Sequence, residues 1–141
     1  MARKDEKISL LKEVPLFWGC SEKELKHIAK VAEQVDLPAG AVLMREGEPG
    51  REMYIIADGN AKVTVSGRKR ATVGKGEVVG ELALLDHGLR TATVTAEAPM
   101  SAFIVDARGF ATVLNDAPSV AVKVARGLAT RLRSAEKSPT H

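Results

Sequence analysis

Apolar and polar residues along this chain follow two periods, and the switch between them divides it. Over residues 5 to 13, Ile8, Leu11 and Leu10 share a face, which predicts a short amphipathic helix ended by Pro15. Val14, Leu16, Phe17 and Trp18 follow as an apolar cluster, expected to plug onto the main body of the fold. Ser21-Glu22-Lys23-Glu24 reads as a capping box, with Ser21 as N-cap and Glu24 in the third helical position. Leu25, Ile28, Ala29 and Ala32 then recur at helical spacing to about Glu33, and His27 lies on the polar side.

From Val35 the period becomes two. Short apolar segments recur at Val35–Leu37, Val42–Met44, Met53–Ala57, Ala61–Val65, Ala71–Val73, Val78–Val79, Thr91–Ala96 and Ser101–Val105. Turn residues separate them, as in Pro38-Ala39-Gly40, Gly47-Glu48-Pro49-Gly50 and Gly74-Lys75-Gly76. Many short strands at this spacing predict a sandwich or barrel. Asp58-Gly59 between alternating runs predicts a tight hairpin, and Arg68-Lys69-Arg70 a solvated hairpin tip. Past the last strand, Asp106 to Leu114 predicts a short helix with Phe110, Val113 and Leu114 apolar. Pro118 suits the first turn of a longer helix to about Arg133. Its expected inner stripe is Val120 or Ala121, Val124, Leu128 and Leu132, with Arg126, Arg131 and Arg133 elsewhere around it. Gly127 lies inside this helix at a cost of about 1 kcal/mol relative to alanine, and is expected at a close helix contact.

Composition narrows the class. A chain of 141 residues, 45% apolar, forms one domain with a real core, and 4% aromatics make that core aliphatic. A net charge of +3 lacks the dense Lys/Arg clustering that marks a nucleic-acid binder. Cys20, the sole cysteine, rules out an internal disulfide framework and suits a reducing cytoplasm. No run approaches the roughly 18 apolar residues of a membrane span, and the charged start is no signal peptide. The expectation is a single cytoplasmic domain over 1–141, with N-terminal helices at 1–34, a β-roll at 35–106, C-terminal helices at 107–134 and a tail at 135–141.

The candidate chemistry sits in residues 80 to 94. Gly80 allows a sharp turn, Glu81 to Leu85 favour about a turn and a half of helix, and Asp86-His87-Gly88 break it before Arg90 opens an alternating segment. A short helix beginning beside a glycine points backbone N–H groups outward and favours an anion. Arg90 offers a fixed fork of donors suited to a phosphate, and Thr91 adds a hydroxyl. A carboxylate would repel a phosphate, so Glu81 suits a donor such as a sugar hydroxyl. These residues fit a phosphate joined to a ribose, and equally a buried Glu81–Arg90 pair that ties the loop down.

This run resembles the phosphate-binding cassette of cyclic-nucleotide-binding domains, through Gly80, Glu81, Leu82, Ala83, Leu84, Arg90, Thr91, Ala92, Thr93 and Val94. Leu89 stands where proline is usual and Val79 where an aromatic is common. The resemblance extends to Leu37-Pro38-Ala39-Gly40, Arg45-Glu46-Gly47-Glu48 and Met53-Tyr54-Ile55-Ile56, and covers about residues 10 to 134. It implies a mainly β fold, an eight-stranded jelly-roll β-barrel with N-terminal helices, a short cassette helix and a C-terminal lid helix. It also implies that Gly80, Glu81, Leu82, Ala83, Arg90, Thr91 and Ala92 bind ligand. Glu81 would accept from the ribose 2′-hydroxyl, Arg90 would pair with the cyclic phosphate, and the N–H groups of Ala83 and Thr91 would help hold it. The implied ligand is cAMP or cGMP. The implied partners are an effector protein and a second copy joined through the C-terminal helix.

In bacterial regulators of the cAMP-receptor-protein type a helix-turn-helix domain follows the sensor. Only Ser-Ala-Glu-Lys-Ser-Pro-Thr-His remains after Arg133 here, so direct DNA binding is not expected. The chain is either a stand-alone sensor or a fragment of a longer regulator, and Met1 with a complete N-terminal helix weighs against the fragment. No nucleophile–base–orienter set is visible, since His27, His87 and His141 are far apart, so no catalysis is expected. No cofactor is expected, and no His-x-His cluster supports a metal-binding cupin. His87 reads as an exposed loop residue. A roll that no longer binds nucleotide and serves as a dimerisation or interaction domain is the alternative.

Overall fold

The computed structural model of the chain describes residues 4–86 and 88–136. The readings placed on His87 and His141 fall outside them. Helix α1 spans Lys4–Glu13, Pro15–Phe17 form a 3-10 turn, and α2 spans Glu22–Val31. The expected capping box is present: Ser21 Oγ accepts from the Glu24 N–H, and the Glu24 carboxylate accepts from the Ser21 N–H at 2.7 Å. Ala32 is already extended, so α2 stops short of the expected Glu33 and β1 begins there, at Glu33–Leu37.

The remaining strands are β2 (Val42–Met44), β3 (Glu52–Asp58), β4 (Ala61–Val65), β5 (Arg68–Val73), β6 (Val78–Val79), β7 (Thr93–Ala96) and β8 (Met100–Asp106), with helix α3 (Ala83–Asp86) between β6 and β7. They form two antiparallel four-stranded sheets, ordered β1-β8-β3-β6 and β2-β7-β4-β5. This is the expected mainly β roll with flanking helices. Two local readings are corrected. Asp58-Gly59 does not close a hairpin, because β3 pairs with β8 and β6 while β4 belongs to the other sheet. The chain crosses between sheets there. The basic run Arg68-Lys69-Arg70 is not a tip: Ser66 and Gly67, both at positive φ, make the turn, and the three cations form the exposed start of β5.

The first sheet is covered on both faces. Along β3, Met53 and Ile55 face the helices, while Tyr54 and Ile56 face the second sheet. β8 repeats the alternation, with Phe103 and Val105 on the helical side and Met100 and Ala102 inside the roll. Strand side chains alternate in direction, so an unbroken apolar run such as Met53 to Ala57 marks a strand buried on both faces.

Helix α4 (Ala107–Asp116) starts at Asp106, whose carboxylate accepts from the Gly109 N–H at 2.6 Å. Helix α5 (Ser119–Glu136) runs past the expected end at Arg133. Val120 and Val124 bury against the core, but Leu128 is only partly buried and Leu132 is 65% exposed. The expected stripe therefore holds for its first half only. Gly127 meets the 3-10 turn: a Cβ there would stand 3.0 Å from the Leu16 carbonyl oxygen. Of the expected apolar plug, Val14, Leu16 and Phe17 are buried, whereas Trp18 is exposed. Among the described residues no helix is long and apolar enough to cross a membrane.

Candidate functional site

The segment between β6 and β7 lies against the loop that joins β2 to β3. Backbone bonds fix it there: Arg90 N–H donates to the Glu48 carbonyl at 2.8 Å, and Gly47 N–H to the Arg90 carbonyl at 2.9 Å. Pro49 and Leu89 form an isolated antiparallel bridge beside them. This pairing brings Gly50 and Glu52 to Arg90.

Arg90 is a buried cation, 7% exposed. Its guanidinium lies where two glycines leave room. A Cβ on Gly50 would stand 2.0 Å from Arg90 Nε, and one on Gly80 would stand 2.6 Å from Nη1. Gly80 also holds φ at +81°, a conformation that costs any other residue. Nη1 donates to the Glu52 carbonyl at 2.9 Å. The Glu52 carboxylate stands 4.0 Å from Nη2 and is 42% exposed, so solvent screens it and it neutralises the cation only partly. A buried guanidinium with one backbone acceptor and one distant carboxylate leaves donors for an anion.

One cavity of about 90 Å³ opens beside it. Met44, Gly80, Glu81, Leu82, Ala83, Asp86, Leu89, Arg90 and Thr91 line it. Six of the seven expected site residues thus converge: Gly80, Glu81, Leu82, Ala83, Arg90 and Thr91. Ala92 is buried and does not line the cavity. Of the two backbone donors expected at the site, Ala83 N–H has a partner within its own turn. Ala83 N–H donates to the Gly80 carbonyl and Leu84 N–H to the Glu81 carbonyl, each at 3.2 Å, so the first N–H groups of α3 are engaged within the turn. Asp86 adds a carboxylate to the lining, and its Oδ1 accepts from the Gly88 N–H at 2.9 Å.

Glu81 and Arg90 do not pair with each other. Glu81 Oε1 accepts from Arg131 Nη1 of α5 at 2.7 Å. The Glu81 side chain is 12% exposed and that of Arg131 is 50% exposed. The site therefore touches the C-terminal helix through a residue that the helical stripe read from sequence put elsewhere. Glu52 was missed; Gly50 was read only as part of a turn, Met44 as the end of a strand and Asp86 as a break in the cassette helix. Farther along β3, Tyr54 donates to Glu52 Oε1 at 3.4 Å, and burial raises its phenol pKa.

The root of α5 is held differently. The buried Glu24 carboxylate accepts from Ser119 and Lys123 of α5 as well as from Ser21. The bond from Lys123, with those from Ser119 and Ser21, lowers its pKa to about 2. Cys20, next to this cluster, has its thiol pKa raised by burial and by the Glu24 charge. Among the described residues no group of His, Cys, Asp and Glu could hold a metal ion.

The profile of the family described as cyclic nucleotide-binding domain matches residues 34–117. A cAMP-dependent protein kinase regulatory subunit of Schizosaccharomyces pombe is 34% identical over 77% of this chain and 27% of its own length. A CRP-like cAMP-activated global transcriptional regulator of Mycobacterium tuberculosis is 30% identical over 88% of this chain and 58% of its own length. The chain thus spans between about a quarter and three-fifths of these relatives. The N-terminal domain of a transcriptional regulator from Streptomyces coelicolor superposes with a TM-score of 0.81 at 32% identity, covering 93% of this chain and 94% of that one.

Proposed function

The chain belongs to the cyclic nucleotide-binding domain family, and on that footing we propose that it is a non-catalytic sensor whose ligand is cAMP ahead of cGMP. The observation that carries this reading is Arg90, a buried and only partly neutralised guanidinium facing a cavity that Glu81 also lines. The cyclic phosphate pairs with Arg90, and Glu81 accepts from the ribose. Thr91, exposed at the rim, offers a hydroxyl that serves either nucleotide. Both full-length relatives above carry cAMP in their names, which favours it over cGMP.

Signalling follows from differential binding. A ligand that binds one position of α5 better than another shifts the population toward it, and a partner protein reads the helix. Calorimetric titration with cAMP and cGMP tests the site. Arg90→Ala strips a charge-assisted fork and lowers affinity by about 2–3 kcal/mol, roughly 30- to 150-fold. Unchanged affinity in that variant would refute the assignment.

A second reading has its own support. Val122 and Leu132 are exposed apolar residues of α5, and with the exposed Ala125 and Ala129 they recur at spacings of three and four. This is the pattern of a two-helix seam. A roll that pairs with a second copy here and binds no nucleotide predicts a dimer by light scattering and no thermal shift with millimolar cyclic nucleotide.

A further inference from the structure

We propose that Arg131 is a ligand-displaced latch: it occupies Glu81, the ribose acceptor of the site, and releases the end of α5 when nucleotide takes its place. The proposal rests on the nucleotide reading of the cassette. The contact is direct, since Arg131 Nη1 donates to Glu81 Oε1 at 2.7 Å from a residue fifty positions away.

Ligand pockets run to several hundred Å³, and this one holds about 90 Å³. The elements around it differ in how firmly they are held. Reciprocal backbone bonds tie the β2–β3 loop to Arg90. The root of α5 is tied by the buried Glu24 carboxylate to Ser119 and Lys123, and its middle lies against Leu16 at Gly127. The tip is held to the cassette by one ion pair whose cation is half exposed. A pair so exposed on one side contributes little net stability, so it is the first contact to yield.

Its acceptor is also the atom group that a ribose needs. A hydroxyl donating to Glu81 replaces a guanidinium already there, so the sugar and Arg131 compete. Binding at Glu81 then frees the last turns of α5 from the cassette. The root, tied to a different carboxylate, stays in place. Arg131 is thus a regulatory residue of the site without being part of its anion-binding machinery.

The test uses the full chain and three variants: Arg131→Ala, Arg131→Lys and Arg90→Ala. Titration with cAMP and cGMP by calorimetry should show Arg131→Ala binding about two- to fivefold more tightly than the parent chain, the range set by the strength of a half-exposed pair. Arg131→Lys, which keeps the charge, should fall between them. Raising ionic strength should narrow the gap, because salt screens the latch. Hydrogen exchange supplies an arm independent of ligand. Amides of residues 128–136 should exchange faster in ligand-free Arg131→Ala than in the parent chain, and saturating nucleotide should bring the parent chain to that level. Equal or weaker binding by Arg131→Ala, with the parent chain binding normally and Arg90→Ala impaired, would overturn the latch and leave the nucleotide site standing. Failure of every variant and of the parent chain to bind would overturn the nucleotide reading, and the competition with it.

Discussion

Two carboxylates hold the same helix, and they do so in different environments. Glu24, at the root of α5, is buried and accepts from Ser21, Ser119 and Lys123. Glu81, near the tip, makes one ion pair to the half-exposed Arg131. A buried carboxylate with several donors is costly to strip of its partners, whereas a half-solvated pair exchanges readily with water or with a ligand. The difference assigns anchoring to one end of the helix and responsiveness to the other. Ion pairs that look alike in a contact map therefore serve opposite ends: the first fixes a position, the second makes a position conditional.

The largest expected effect comes from breaking the anchor. Glu24→Ala removes the capping box and leaves Lys123 without its acceptor. Because Lys123 is 27% exposed, the cost falls at the low end of that for a broken buried pair, about 3 kcal/mol. Thermal unfolding should show a loss of roughly 10 °C. Affinity for nucleotide, measured below the new midpoint, should stay within about threefold of the parent value. A collapse of binding would erase the distinction between root and tip.

Acid sharpens the same contrast. The Glu24 pKa lies at about 2 in the folded chain, against an ordinary 4.5. A carboxylate whose folded pKa is depressed stabilises fully above its unfolded value and loses that contribution as pH falls toward the folded one. Chemical denaturation should therefore report falling stability between about pH 4.5 and 2, and Glu24→Gln should lack that component. A parent chain and Glu24→Gln with parallel profiles would show that the anchor carries no linkage.

Next in size is a change in the wall of the site rather than in its charge. Gly50→Ala places a methyl where the Arg90 side chain now lies. The guanidinium is the mobile partner and gives way, so nucleotide affinity should drop at least about tenfold while the melting temperature moves by only a few degrees. Retained affinity would mean that the position of Arg90 matters less than its presence.

Much of this arrangement could be read from residues alone. The capping box at Ser21 and Glu24 and the strand runs follow local periodicity or spacing, whereas the cassette from Gly80 to Thr91 rests on its resemblance to a known family. What could not be read was long-range. Nothing near Glu24 announces Ser119 and Lys123, and nothing near Arg90 announces Gly50. Asp58-Gly59 carries a hairpin signature, yet its strands join different sheets, because tertiary pairing overrides turn chemistry. On α5 the miss was a matter of angle. Extending Val120 and Val124 by fours leads to Leu128 and Leu132, but the face that packs continues through Gly127 to Arg131. A glycine and an arginine are not apolar, so a hydrophobic stripe cannot show them.

The pairing of β1 with β8 joins Glu33 to Ile104 and Leu37 to Met100. The chain between them contains the other six strands and the whole cassette. Closing so long a loop is entropically expensive and must precede the contacts that repay it, which makes this roll a slow folder relative to its helices. Both cores draw on β8, so the cassette gains its backing only when that strand is in place. During synthesis, the cavity beside Arg90 would lack its backing until residues beyond 106 had left the ribosome.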